Sequence, residues 1–145
     1  MTYFFRADLS RYAGAAYPLV VRISSARELR DYYERNRNIY QFNQGYYSED
    51  NMAESVFSES SGFDDVFFAT RFLLFIIIEE GSGSVRHKVE TLLPGNGTLP
   101  VNITRIIPDI GTADMAQWHI VLALDKALSD KDVEISFKDE LLPCE

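Results

Sequence analysis

The chain has two histidines, His87 and His119, and each lies in a segment that also carries acids and hydroxyl groups. His87 ends the stretch EEGSGSVRH, which begins at Glu79. A serine nucleophile, a histidine base and an acid that orients the base are the parts of a hydrolytic site. A small hydrolase that uses His119 or His87 with a nearby Asp is therefore one function that the sequence leaves open.

The Gly-Ser-Gly-Ser run at 81–84 is better explained as a bend between two strands. A phosphate-binding loop needs its glycines immediately before a helix, whereas the SVRHKVE segment alternates with the period of a strand. The sequence also lacks the Gly-x-Ser-x-Gly elbow of serine hydrolases. We predict a tight hairpin turn here, with Glu79 opposite Arg86 as a cross-strand ion pair.

The second distinctive segment is DIGTADMAQWHI, Asp109–Ile120. Its glycine, threonine and aspartate residues predict a structured turn, since Asp and Thr side chains bond the local backbone. We expect Met115 and Trp118 to enter the core and His119 to point the other way. A polar cluster around one rim would then be a candidate binding site, formed by Asp109, Asp114, His119 and Arg86.

Aromatic residues in the polar segment 39–65 predict a second contact surface. Tyrosine in loops is good contact material for a partner, and this segment offers few core positions. The candidate binding residues are Tyr40, Phe42, Tyr46 and Tyr47.

The sequence predicts no metal and no cofactor. The two histidines stand 32 residues apart and the chain has one cysteine, Cys144, so no zinc-ligand pattern is present. The acidic stretch SEDNMAES lacks the ligand spacing of a calcium-binding loop.

Charge and hydropathy exclude two classes of partner. Acids number 22 against 14 bases, a net charge of -8, which argues against binding nucleic acid or anionic lipid. The longest apolar run, Phe72–Ile78, is far shorter than the roughly 20 residues that cross a bilayer. We therefore expect neither a nucleic-acid partner nor a membrane-spanning segment.

The elements that must position these residues are mostly strands. Arg71–Glu80 is apolar without alternation, which is typical of a strand buried on both faces. Ser25 followed by Glu28 has the spacing of a capping box and predicts a helix over Ala26–Asn36. Further strands are expected at Thr2–Ala7, Pro18–Ile23, 84–93, 99–108, 115–125 and 132–139. A short helix near 52–57 and a helical turn capped by Asp64 complete the prediction.

The apolar pattern also predicts how two of the strands pair. A tight turn at 96–97 would put the apolar residues of the second strand on the wrong face. A shift of one residue places Val89 opposite Ile103 and Thr91 opposite Val101, which brings the apolar faces together. We therefore predict a longer loop or a glycine bulge at this turn.

Together these elements predict an α+β fold in a single domain, residues 1–145, with a strand-rich core at about 71–138. A mostly antiparallel sheet of five to seven strands has Phe72–Ile78 near its centre. One main α-helix packs on a face of this sheet.

The segment Phe67–Lys126 resembles a family of uncharacterised secreted or lipid-anchored proteins of Gram-positive bacteria. The resemblance is carried by the blocks EEGSGSVRH and GTADMAQWH. The strand, glycine turn and strand plan is also similar to the C-terminal domain of the PrcB protease-complex subunit. That similarity implies binding to a partner protease, and neither resemblance supplies a catalytic motif.

The leading expectation is a non-enzymatic binding or protein-interaction module. Its partner would be a protein or peptide, with a glycan as the alternative. The resemblance implies a location outside the bacterial cytoplasm, with any export signal not in this chain, and a cytoplasmic location stays open. Pairing of an exposed strand edge with another chain is a third choice.

Overall fold

A computed structural model describes residues 2–9, 16–42, 56–58 and 61–142 of the chain. Seven strands and one main helix form the framework, and the predicted α+β class is confirmed. In chain order the elements are β1 (Thr2–Arg6), β2 (Leu19–Ile23), α1 (Ala26–Asn36), α2 (Asp65–Thr70), β3 (Arg71–Glu80), β4 (Arg86–Thr91), β5 (Thr98–Ile107), β6 (Ala116–Asp125), a 3-10 helix (Lys126–Leu128) and β7 (Asp132–Leu141).

The strands form two mostly antiparallel sheets, and the chain divides into two compact units. Unit 1 comprises Met1–Glu79 and Ala116–Ala127, and its sheet has the strand order β1-β6-β3-β2. Unit 2 comprises Glu80–Met115 and Leu128–Glu145, and its sheet has the order β4-β5-β7. The single domain over 1–145 stays a prediction.

In unit 1, β3 is an interior strand between β6 and β2. Every residue of Phe72–Ile78 is buried, as expected for a strand that is apolar on both faces. The two edge strands, β1 and β2, each run antiparallel to their partner. The predicted central place of Phe72–Ile78 is confirmed for this sheet.

Helix α1 has the predicted bounds because both its cap and its apolar face are encoded locally. Ser25 Oγ accepts a hydrogen bond from Glu28 N at 3.0 Å, which satisfies one free amide of the first turn. Tyr32 is buried and packs edge-on against Phe75 of β3, with ring centroids 4.9 Å apart. Helix α2 is capped in the same way by Asp64, as predicted.

The helix expected near 52–57 falls largely outside the described residues. Of that segment, Val56 and Phe57 are described, and both are helical.

In unit 2, the predicted register of β4 and β5 is confirmed. Val89 lies opposite Ile103 and Thr91 opposite Val101. The connecting loop runs to Gly97, which has a φ of 86°, a conformation that favours glycine.

The predicted hairpin between β3 and β4 is wrong. β3 pairs with β2 and β6, whereas β4 pairs with β5, so Glu79 and Arg86 are not cross-strand partners. Glu79 Oε2 instead accepts a hydrogen bond from Gln117 Nε2 at 2.8 Å. The physical reason is that β3 is apolar on both faces and lies between two other strands of unit 1, which leaves no edge for β4.

The last strand, β7, pairs with β5 in parallel, with Thr98 opposite Asp132 and Ile107 opposite Leu141. Between these two strands the chain passes through β6, which belongs to the other sheet. A parallel pair needs such a long connection, since a short turn reverses the chain direction.

Candidate functional site

Hydrogen bonds join two loops of unit 2, residues 81–85 and 108–115, which we call the paired loops. Ser82 Oγ lies 2.7 Å from Ser84 Oγ and 3.2 Å from Thr112 Oγ1, a residue 30 positions away in the sequence. Thr112 N donates to Ser84 Oγ at 3.2 Å. The two segments that the sequence singled out are therefore held together.

Gly111 permits this close approach. A Cβ atom at Gly111 would lie 3.0 Å from Ser82 Oγ and 3.2 Å from Ser84 Oγ, closer than most Cβ contacts in proteins. A larger residue would push the loops apart, so the glycine has a packing role here.

Two of the predicted site residues, Arg86 and Asp114, meet at Gly83. The Gly83 amide donates to Asp114 Oδ1 at 3.1 Å, and Arg86 Nη1 donates to the Gly83 carbonyl at 2.7 Å. Asp109 is exposed in the longer of the paired loops. His119 does not join this group, because it is fully buried in unit 1.

The chemistry of the paired loops favours contact over bond cleavage. A serine becomes a nucleophile when a base takes its proton. In the part of the chain that the structure describes, the hydrogen bonds of Ser82 and Ser84 go to hydroxyl and amide groups and none goes to a base. The Gly83 amide already binds a carboxylate, whose charge would repel a phosphate. These facts agree with a structured bend.

Two large apolar side chains project from the longer of the paired loops. Ile110 is 84% exposed and Met115 is 57% exposed. The expectation that Met115 enters the core is therefore wrong, while Trp118 is buried as predicted. Met115 stays outside because β6 begins one residue later, at Ala116.

A second polar group of unit 2 centres on a buried acid, Glu80, and a buried histidine, His87. The register places His87 opposite Arg105 and Arg105 opposite Asp139, across three strands. His87 Nε2 donates to Glu80 Oε2 at 2.8 Å, and Arg105 Nε donates to the same oxygen at 2.9 Å. Arg105 Nη1 donates to Asp139 Oδ1 at 3.0 Å. We call these four residues the charge row.

The charge row keeps Glu80 ionised. Burial by itself would raise the pKa of Glu80, but hydrogen bonds from His87 and Arg105 outweigh it and lower the pKa from 4.5 to about 2. The hydrogen bond to Glu80 in turn raises the pKa of Arg105. The carboxylate is therefore charged at neutral pH, and its partners satisfy it internally.

The sequence did contain a signal for the charge row. The register that puts Val89 opposite Ile103 also puts His87 opposite Arg105, two residues along each strand. Both polar residues then lie on the apolar face of the sheet, where a cationic side chain needs an acid as its partner. Glu80 itself could not be found this way, because its partners depend on the path of the loop after β3.

His119 is part of the aromatic core of unit 1. Its ring stacks on Phe5 with centroids 4.7 Å apart, and its Nε2 lies 2.7 Å from the Tyr32 hydroxyl. Burial lowers the pKa of His119 from 6.5 to about 3, so the ring is neutral at physiological pH. The ring points away from Trp118, as strand alternation predicts, yet it reaches no exposed rim.

The aromatic candidates divide into two pairs. Tyr40 and Phe42 are buried in the core of unit 1, which corrects the expectation that they form an exposed patch. The Tyr40 hydroxyl lies 3.1 Å from that of Tyr17, and the side chain also lines a cavity of about 420 Å³. Tyr46 and Tyr47 lie outside the described residues.

Comparison with protein-family models, curated proteins and solved structures found no match. Across the described ranges, no cluster of three or more His, Cys, Asp or Glu side chains is arranged to hold a metal ion. No helix within those same ranges has the length and apolar character needed to cross a membrane.

Proposed function

We propose that this protein is a non-enzymatic binding module that recognises another protein or a peptide through the paired loops. The observation that carries the proposal is the exposure of Ile110 and Met115 beside a loop pair fixed by its own hydrogen bonds. Apolar side chains on a loop that is already ordered favour contact with a partner, since little conformational entropy is then lost on binding.

The family resemblance supports the same surface. Its two blocks, EEGSGSVRH and GTADMAQWH, include the segments that the hydrogen bonds join. The proposal therefore extends to a location outside the bacterial cytoplasm, secreted or lipid-anchored, and to a protein of a protease complex as one class of partner. A glycan is less well supported, because Tyr40 and Phe42, which could stack on a sugar, are buried.

The hydrolase alternative has less support. His119 is fully buried beside the Tyr32 hydroxyl, and His87 is buried against Glu80, whose carboxylate also binds Arg105. A general base needs to reach a substrate as well as a nucleophile. Neither ring is exposed for that role.

The test is a quantitative pull-down from membrane and secreted fractions of the organism that makes the protein. The wild type is compared with a double variant, Ile110→Ser with Met115→Ser. The matched control is Val66→Ser, because Val66 is 82% exposed on α2 in unit 1. We expect the wild type and the control to retain one partner in equal yield and the double variant to lose it.

Two results would overturn the proposal. One is equal retention of the partner by a folded double variant, which would remove the paired loops from the interface. The other is the absence of any partner specific to the wild type. Circular dichroism of each variant checks that the fold is kept.

A further inference from the structure

Strand β7 forms one edge of the unit 2 sheet and has β5 as its one neighbour among the described residues. It is ten residues long, and every residue from Ser136 to Leu141 is exposed. An edge strand presents a row of backbone N–H and C=O groups to which another extended chain can bond.

Two hydrogen bonds identify which backbone groups of β7 point outward. Asp132 N donates to Gly97 O at 2.9 Å, and Leu142 N donates to Ile107 O at 2.9 Å. Both donors have even numbers, and successive residues of a strand point their backbone groups to opposite sides. The even residues therefore face β5. The outward groups belong to Val133, Ile135, Phe137, Asp139 and Leu141.

The two faces beside this edge differ in chemistry. The odd-numbered face includes Phe137 and Leu141, which are 47% and 74% exposed. The other face carries three exposed acids and one base, namely Asp132, Glu134, Glu140 and Lys138. The odd-numbered face also holds Asp139, which is paired with Arg105. A strand added at this edge would thus have a mainly apolar flank on one side and an acidic flank on the other.

We propose that the outer edge of β7 binds an extended segment of a partner protein in which apolar residues alternate with lysine or arginine. Its backbone bonds to the outward groups of β7, its apolar side chains lie beside Phe137 and Leu141, and its cations lie beside Glu134. Successive side chains of a strand point to opposite faces, so strict alternation in the bound segment places its apolar side chains on one face and its cations on the other. The chain's net charge of -8 favours the same partner.

A second copy of this chain fits the edge less well. On the acidic face β7 carries one base, Lys138, against three acids, Asp132, Glu134 and Glu140. Two antiparallel β7 strands could therefore place a lysine opposite at most one acid of each strand. A segment rich in lysine or arginine can place a cation opposite every acid, so the basic segment is the occupant that the edge favours.

The test uses the full chain and three synthetic peptides as long as β7. One alternates valine with lysine, one has the same composition in two blocks, and one alternates valine with glutamate. NMR hydrogen exchange of the β7 amides and a binding titration are the readouts. We expect the first peptide alone to slow exchange at the five outward residues, while the even-numbered amides change little.

A charge reversal distinguishes the edge from general electrostatic attraction. Glu134→Lys is expected to weaken binding of the valine-lysine peptide about three- to tenfold, since it turns an attractive pair into a repulsive one. Glu90→Lys, at an exposed position on β4 at the opposite edge, makes the same change in net charge and should have a much smaller effect.

Equal effects of the two variants would overturn the proposal, and so would equal binding of the block peptide or no binding of the alternating one. Protection of the β4 amides in place of the β7 amides would also overturn it. The readouts lie on β7 and do not involve Ile110 or Met115, so either proposal can fail while the other stands.

Discussion

Glu80 is the acid on which the charge row depends. Its carboxylate accepts hydrogen bonds from His87 and from Arg105, and its side chain is buried. Burying charged groups costs desolvation free energy, which their mutual attraction offsets. The loss of one member leaves the remaining charges buried without that compensation.

We predict that Glu80→Gln lowers the free energy of unfolding by about 3 kcal/mol, the lower end of the range for breaking a buried pair. The lower end applies because Arg105 is partly exposed and keeps Asp139 as a partner. Urea denaturation at neutral pH measures the change. Glu90→Gln, at an exposed position in the same sheet, is the control and should change stability by less than about 0.5 kcal/mol. Equal losses for both variants would contradict the role given to Glu80.

The role of the Glu80 carboxylate can also be checked by comparing the stability of the wild type and of Glu80→Gln as a function of pH. The pKa of Glu80 is lowered to about 2 in the folded chain from an ordinary 4.5, so its contribution is complete above 4.5. As pH falls from 4.5 towards 2, the carboxyl of the unfolded chain is protonated before that of the folded chain, and the contribution is lost. The difference between the wild type and Glu80→Gln should shrink over that interval.

His119 is predicted to make the wild type less stable as pH falls below neutrality. Its pKa is about 3 in the folded chain against an ordinary 6.5, so between these values the unfolded chain binds the proton and the folded chain does not. The double variant His119→Phe with Tyr32→Phe removes the titrating ring without leaving the Tyr32 hydroxyl unpartnered. We expect its stability to fall less than that of the wild type between about pH 7 and pH 5, where ordinary carboxyl groups stay ionised.

Denaturation midpoints of both proteins across this interval make the measurement. The two proteins differ at His119 and Tyr32 alone, so the comparison isolates the effect of the His119 ring. Parallel curves for the two proteins would mean that His119 titrates in the folded chain, against its burial.

At the scale of elements, the paired loops depend on Gly111. We predict that Gly111→Ala forces the loops apart, weakens the hydrogen bonds of Thr112 and lowers the free energy of unfolding by about 1–2 kcal/mol, as overpacking does. Gly81→Ala is a matched control, since a Cβ there meets no atom within 4 Å. Denaturation and the amide chemical shifts of residues 82–84 report the effect. A Gly111→Ala protein that matches the control on both measures would show that the close approach is unimportant.

The elements themselves were largely predictable because their signals are local. The Ser25 cap and apolar face fixed both ends of α1, and two-residue alternation fixed the register of β4 on β5. The partner of β3 was not predictable in this way. A strand that is apolar on both faces has no pattern that selects one neighbour over another, and its neighbours β2 and β6 are distant in the sequence.

At the scale of the whole molecule, neither compact unit is a continuous stretch of chain. Unit 1 takes β6 from the second half of the sequence, and unit 2 resumes after it with β7. Of the candidate site, the sequence indicated Arg86 and Asp114, since glycine and aspartate mark turns directly. It missed the charge row and misplaced Tyr40 and Phe42, because their surroundings are set by contacts between distant segments.

Trp118 is the one tryptophan of the chain, and it is buried in β6, the interior strand between β1 and β3. Its indole is therefore a built-in optical probe of unit 1. Emission from the native chain should be shifted to the blue and shielded from iodide quenching, and both properties should vanish when the sheet opens. A substitution in the exposed loops that leaves this signal intact has left the sheet around β6 intact as well.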